Sequence, residues 1–161
     1  MSNYHIIPEC YADTLLIEML GFMRPNHQLS IGSVLSTMEK KFQNQLAVGI
    51  VDDDKQKPSQ FKFFREVAVQ SGIRKVAKPE SQHTIFVICP AFEVWVFDNA
   101  RQVDIDPARF GFSSIKYFRN SSKSQSVHRN QAVKDFLNTL KQKNAPGFVQ
   151  LRTWIEELNR G

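Results

Sequence analysis

Short unbroken apolar runs alternate along this chain with stretches that are apolar only at helical spacing. Residues 46–51 (Leu-Ala-Val-Gly-Ile-Val) and 84–89 (Thr-Ile-Phe-Val-Ile-Cys) are the two clearest runs, and Tyr4-His5-Ile6-Ile7-Pro8 is a shorter one. Runs of this length without polar alternation predict strands covered on both faces. Leu15, Leu16, Met19 and Leu20 predict a helix over 12–23, stopped by Arg24-Pro25-Asn26. Ile31, Val34, Leu35, Met38 and Phe42 form one apolar stripe, with Ser30 placed to cap the helix. A weak strand signal lies at 27–29. Residues 58–72 favour a helix through Phe61, Phe64 and Ala68, with a strand through Phe61, Phe63, Val67 and Val69 as the alternative. Pro90 is expected to open an apolar helix over 91–99. Residues 104–118 read as irregular with a helical turn after Pro107, and 120–126 as a polar, mobile serine-rich stretch. Two further helices are expected, over 127–143 and after Ala145-Pro146-Gly147. Strands alternating with helices predict an α/β fold with a mainly parallel central sheet, helices on both faces and extra C-terminal helices.

The length of 161 residues fits one domain with a sizeable core. No apolar stretch reaches the length of a membrane span, and residues 1–5 lack a secretion-signal pattern. Cys10 and Cys89 form neither a zinc spacing nor a disulfide framework, so a cytoplasmic protein with reduced thiols and no membrane partner is expected. The net charge of +5 is unevenly distributed: −4 over 1–54, +6 over 55–79, −4 over 80–108 and +7 over 109–144. Basic blocks flanking acidic ones suit an anionic polymer such as nucleic acid. They equally suit ordinary solvated faces.

The chemistry gathers at the strand ends. Asp52-Asp53-Asp54 ends the run at 46–51, and Glu9 directly follows the first strand. In parallel neighbours these acids meet at the carboxyl edge of the sheet, where open α/β folds bind ligands. Side-chain alternation groups Asp52 with Asp54 and turns Asp53 away. Glu9, Asp52 and Asp54 then form a hard-oxygen set suited to Mg²⁺ or Mn²⁺. A solvated turn at 52–55, with Glu9 favoured by a helix dipole, is the competing reading.

Glu9-Cys10-Tyr11-Ala12-Asp13-Thr14 after one strand and Ile50-Val51-Asp52-Asp53-Asp54 after another resemble the toprim domain, which pairs a glutamate with a D-x-D. Pro90-Ala91-Phe92-Glu93-Val94-Trp95 resembles the P-x-F-E-x-W element of toprim-like proteins of the OLD and RloB type, associated with phage-defence nucleases. The resemblance implies a toprim-like domain over 1–161, with a core over 1–100 that carries the site and a mostly helical extension over 101–161. It implies Glu9, Asp52 and Asp54 as metal ligands, the same three with Glu93 as the catalytic set, and Mg²⁺-dependent phosphodiester cleavage of DNA or RNA. Cys10 stands where the family usually has glycine. No G-x-x-x-x-G-K-[ST] occurs, so an ATPase partner would be separately encoded.

Lys55 and Lys57 follow the acids and are candidate phosphate ligands or solvated turn residues. Glu93, in an apolar helix, fits a structural ion pair as well as a catalytic role. Arg119, Lys123 and Arg129 favour a plain exposed face over backbone binding. Trp95 and Trp154 favour packing. A catalytically inactive nucleic-acid- or partner-binding module is the alternative function. A receiver-like domain expects a lysine after the strand at 84–89, where Pro90-Ala91 stands instead.

Overall fold

The computed structural model describes residues 2–53 and 56–161. Five strands form one sheet: β1 (Ile6–Pro8), β2 (Ala47–Asp52), β3 (Arg65–Gln70), β4 (Ile73–Ala77) and β5 (His83–Ile88). Their order is β1-β2-β5-β4-β3, with β1, β2 and β5 parallel and β4 and β3 antiparallel. The fold is therefore α/β with a mixed sheet whose centre is parallel. The most apolar runs, β2 and β5, take the inner positions and are buried at every residue, as strands covered on both faces must be.

Six α-helices are described: α1 (Tyr11–Met19), α2 (Ile31–Lys41), α3 (Phe92–Gln102), α4 (Ile115–Ser122), α5 (Gln131–Gln142) and α6 (Pro146–Arg160). None is long and apolar enough to cross a membrane. One face of the sheet (Ile7, Ala47, Val51, Val76, Ile85, Val87) packs against Ile31, Val34, Leu35 and Met38 of α2. The other face joins α1, α3, α4, α5 and α6 in one continuous core. The helices after residue 100 thus share the core of the strands. The Ser30 hydroxyl accepts from the Ser33 N–H at 3.0 Å and caps α2 as expected. Gly49 lets α2 approach β2: a Cβ there would stand 3.0 Å from a Val34 methyl.

The structure departs from the sequence reading in several places. Residues 58–72 are not a helix; Ser59–Phe63 is a 3-10 turn, followed by β3. Strand β3 makes a hairpin with β4, which the apolar pattern did not reveal because β3 is an exposed edge strand and β4 carries Arg74 and Lys75. Ser71 and Gly72 form its two-residue turn, with φ values of 54° and 75°, the positive pair that a type I′ hairpin turn requires. Residues 27–29 form no strand, although the N–H groups of Asn26 and Gln28 donate to Ile6 and Pro8 carbonyls along β1. Helix α1 ends at Met19, where Gly21 with φ 104° breaks it before 23. Residues 115–122, split between an irregular and a mobile segment, are the single helix α4, capped by the Ser114 hydroxyl.

Trp95 and Trp154 are core residues. Trp95 stacks on Phe148 of α6 at 5.3 Å, and its indole N–H donates to the Ser71 carbonyl at 2.9 Å. Asn99, also on α3, accepts from the Gly147 N–H at 2.7 Å. Helix α3 is thereby fixed between the hairpin turn and the start of α6.

Candidate active site

The carboxyl ends of β1 and β2 bring two acids together. The Glu9 N–H donates to the Ile50 carbonyl at 3.0 Å, continuing the parallel ladder one residue beyond β1. Its side chain turns back, and Oε2 accepts from the Asp52 N–H at 3.3 Å. Both carboxylates are fully buried. The next acid goes elsewhere: Asp53 Oδ1 accepts from Lys57 Nζ at 2.8 Å and lies 3.6 Å from Arg74. Asp52 and Asp53 thus serve different partners, as side-chain alternation predicts. Asp54 and Lys55, the third expected ligand and one expected phosphate contact, lie outside the described residues.

One further acid borders the pair, and another is buried at the start of α3. Asp13, in the first turn of α1, is fully buried, and neither carboxylate oxygen has a hydrogen-bond partner. Burial is the main cause that holds its carboxyl well above the usual value of 3.8, and the charges of Asp52 and Glu9 push the same way. The influence of the Asp52 and Glu9 charges on it places it in the same electrostatic cluster. The sequence reading passed over Asp13, which sits four residues after Glu9 in the first turn of α1. Glu93 occupies the first turn of α3, just beyond β5, and is 4% exposed. Its Oε1 lies 3.4 Å from the Arg119 guanidinium, and Oε2 has no hydrogen-bond partner.

The cations facing these acids come from α4. Lys123, its C-terminal flanking residue, places Nζ 3.5 Å from Asp52 Oδ2, and Arg119 pairs with Glu93. Lys123, only 25% exposed, does not belong to a plain exposed face, whereas Arg119 and Arg129 are exposed as expected. Burial of an acid that the sequence alone cannot locate is what recruits Lys123 and Arg119. Lys57 is held by Asp53, with its ammonium 5.7 Å from the centre of the Phe61 ring. It nevertheless lines, with Glu9, Ser30, Gly32 and Pro58, a cleft of about 490 Å³ between α2 and the segment after β2.

Other reactive groups do not compete for the chemistry. Burial, then the Asp13 and Asp52 charges, pushes the Cys10 thiol well up, and Cys89 is pushed to about 11 by burial and the Asp53 charge. Both are thiols at neutral pH, unsuited to nucleophilic attack. His27 stacks on Tyr11 at 4.4 Å and shares a hydrogen bond with the Thr14 hydroxyl; burial keeps it neutral by lowering its pKa. Among the described residues, no three His, Cys, Asp or Glu side chains form a ready-made metal cage. No protein-family model, curated protein or solved structure matches the chain.

Proposed function

We propose that the chain is a toprim-like, divalent-metal-dependent enzyme that cleaves phosphodiester bonds in nucleic acid. The observation carrying this reading is the gathering of Glu9, Asp13 and Asp52 in one buried electrostatic cluster, with Asp52 and the separately buried Glu93 each facing a cation at α4. Buried acids that repel one another are relieved by a hard cation, and the oxygens of Asp13 without hydrogen-bond partners fit that demand. Glu9, Asp52 and Asp54 would hold Mg²⁺ or Mn²⁺, which when bound polarises a phosphoryl oxygen and acidifies water. Glu9 is oriented by the Asp52 N–H and is placed to exchange a proton with the attacking water. Glu93 is a second proton acceptor at the start of α3. Arg119 and Lys123 bring positive charge to the edge where a phosphate would develop negative charge. Lys57 would contact a flanking phosphate from the cleft, and Lys55, two positions earlier in the sequence, is the other candidate phosphate ligand.

The test is hydrolysis of labelled DNA and RNA with Mg²⁺ or Mn²⁺ by the wild type and by the Asp52→Ala/Asp54→Ala variant. Metal-dependent cleavage lost in the variant is expected; equal cleavage by both proteins rejects the assignment. One observation favours a second reading, a toprim-fold binding module without turnover that works beside a separately encoded ATPase in defence. Lys123 already supplies a cation to Asp52. Calorimetry separates the two, because a module of this kind takes up no divalent cation at millimolar concentration.

A further inference from the structure

We infer that the cleft between α2 and the segment after β2 receives one base of the substrate, that of the nucleotide next to the phosphate being cleaved. The inference rests on the nuclease reading above and adds what the site holds besides phosphate. The cleft holds about 490 Å³, within the range of about 300–1,000 Å³ found for small-molecule sites. That is room for one nucleotide and not for a duplex. Glu9 forms part of its wall. The same residue accepts from the Asp52 N–H, so the cleft lies beside the acid cluster.

Gly32 is the informative residue. It stands in the first turn of α2 and lines the cleft, yet neither packing nor backbone shape calls for glycine there. A Cβ added to it would meet the Ser30 hydroxyl at 3.8 Å, an ordinary contact, and nothing nearer. Other glycines of the chain have a structural reason: a positive φ at Gly21, Gly72 and Gly111, or a side chain within 3.0 Å of the added carbon at Gly49 and Gly147. Glycine weakens a helix relative to alanine. Its presence at 32 is therefore accounted for by what must come close to the backbone from the open side, which is the cleft.

The lining suits a base. Leu29 is 71% exposed, and with Pro58 it offers apolar surface, while Gln56 and Ser59 offer donors and acceptors. Lys57 in the same wall is already held by Asp53 at 2.8 Å, so the cleft attracts a ligand through these uncharged groups. A nucleobase is flat, apolar on its faces and hydrogen-bonding along its edge. Proteins that take a base out of the stack hold it between apolar side chains and read its edge with polar ones.

The experiment is an NMR titration of the isotope-labelled full chain in EDTA, with AMP as the probe and ribose phosphate as the control that lacks the base, both carried into the millimolar range. AMP is expected to shift the amide signals of Gly32 and Ser59, and ribose phosphate is expected to leave them in place. Gly32→Leu puts a side chain into the cleft and is expected to abolish AMP binding. It should melt at or above the wild-type temperature, because a strong helix former replaces a glycine. Leu29→Ser, at an exposed position, is expected to weaken AMP binding roughly 5- to 30-fold through the loss of part of a leucine's burial. Absence of AMP binding at Gly32, an equal response to ribose phosphate, or wild-type binding by Gly32→Leu or Leu29→Ser would overturn the inference. A chain that binds AMP here but cleaves no nucleic acid retains this site and loses the nuclease reading. A chain that cleaves with AMP unbound retains the nuclease reading and loses this site.

Discussion

Replacing Asp13 by Asn is expected to stabilise the protein at neutral pH, an unusual outcome for a fully buried polar residue. The wild-type carboxyl is fully buried, with no hydrogen bond to either oxygen and with Asp52 and Glu9 pushing its pKa up together with burial. An unsatisfied buried polar group costs about 1–3 kcal/mol, and a charged one more. The amide carries no charge and brings two N–H donors into a pocket of carboxylates. A gain of about 1–3 kcal/mol corresponds to roughly 2–12 °C in Tm for a domain of this size. The pH dependence fixes the sign. A carboxyl whose pKa is raised on folding favours the folded state most below its unfolded value of 3.8, and that stability is lost as the pH rises through the folded pKa. The advantage of Asn should therefore be small near pH 4 and grow toward neutrality. Urea melts of both proteins across this range, without divalent cation, measure it. A variant no more stable than wild type at neutral pH, or an advantage that does not change with pH, refutes the electrostatic account. With Mg²⁺ the wild type should recover ground, because a ligand present at about 100 times its Kd stabilises the folded state by about 2.7 kcal/mol.

Gly147→Ala is expected to destabilise by about 1–3 kcal/mol in chemical denaturation, because its Cβ would stand 2.6 Å from the Trp95 ring and 2.7 Å from Asn99 Nδ2; an unchanged midpoint would show that α3 and α6 are looser than described. Lys123→Met should cost about 1–3 kcal/mol by taking a cation from the fully buried Asp52, discounted for the solvent that reaches the lysine. Adding Asp52→Asn should restore most of that loss, and strict additivity in the double-mutant cycle would deny the coupling.

The parallel centre of the fold was legible because β2 and β5 are continuous apolar runs, a pattern that strands covered on both faces require. The hairpin was not, because Val67 and Val69 on an edge strand are exposed and follow no burial pattern; only Ser71-Gly72 marked the turn. The meeting of Glu9 with Asp52, and the parting of Asp52 from Asp53, followed from strand ends and alternation. Asp13 was missed because its burial depends on how α1 packs, which spacing does not disclose. Helix α4 was missed for a different reason: its eight residues, Ile115–Ser122, straddle the boundary between a segment read as irregular and a serine-rich one read as mobile, and they bury only Phe118 and Ser122. Its cations looked like solvated charge until the acids they face were located in space.

The pairing of early acids with late cations bears on how this chain is made. Glu9, Asp13, Asp52 and Glu93 all leave the ribosome before Arg119 and Lys123, at about 5–20 residues per second. For some seconds the nascent strands carry acids whose compensating charges have not yet been synthesised. Closing the sheet over those acids in that interval is opposed by desolvation and by their mutual repulsion. The arrival of α4 therefore acts as a late clasp, and the segment over 1–100 is not expected to reach its final packing until that helix has emerged.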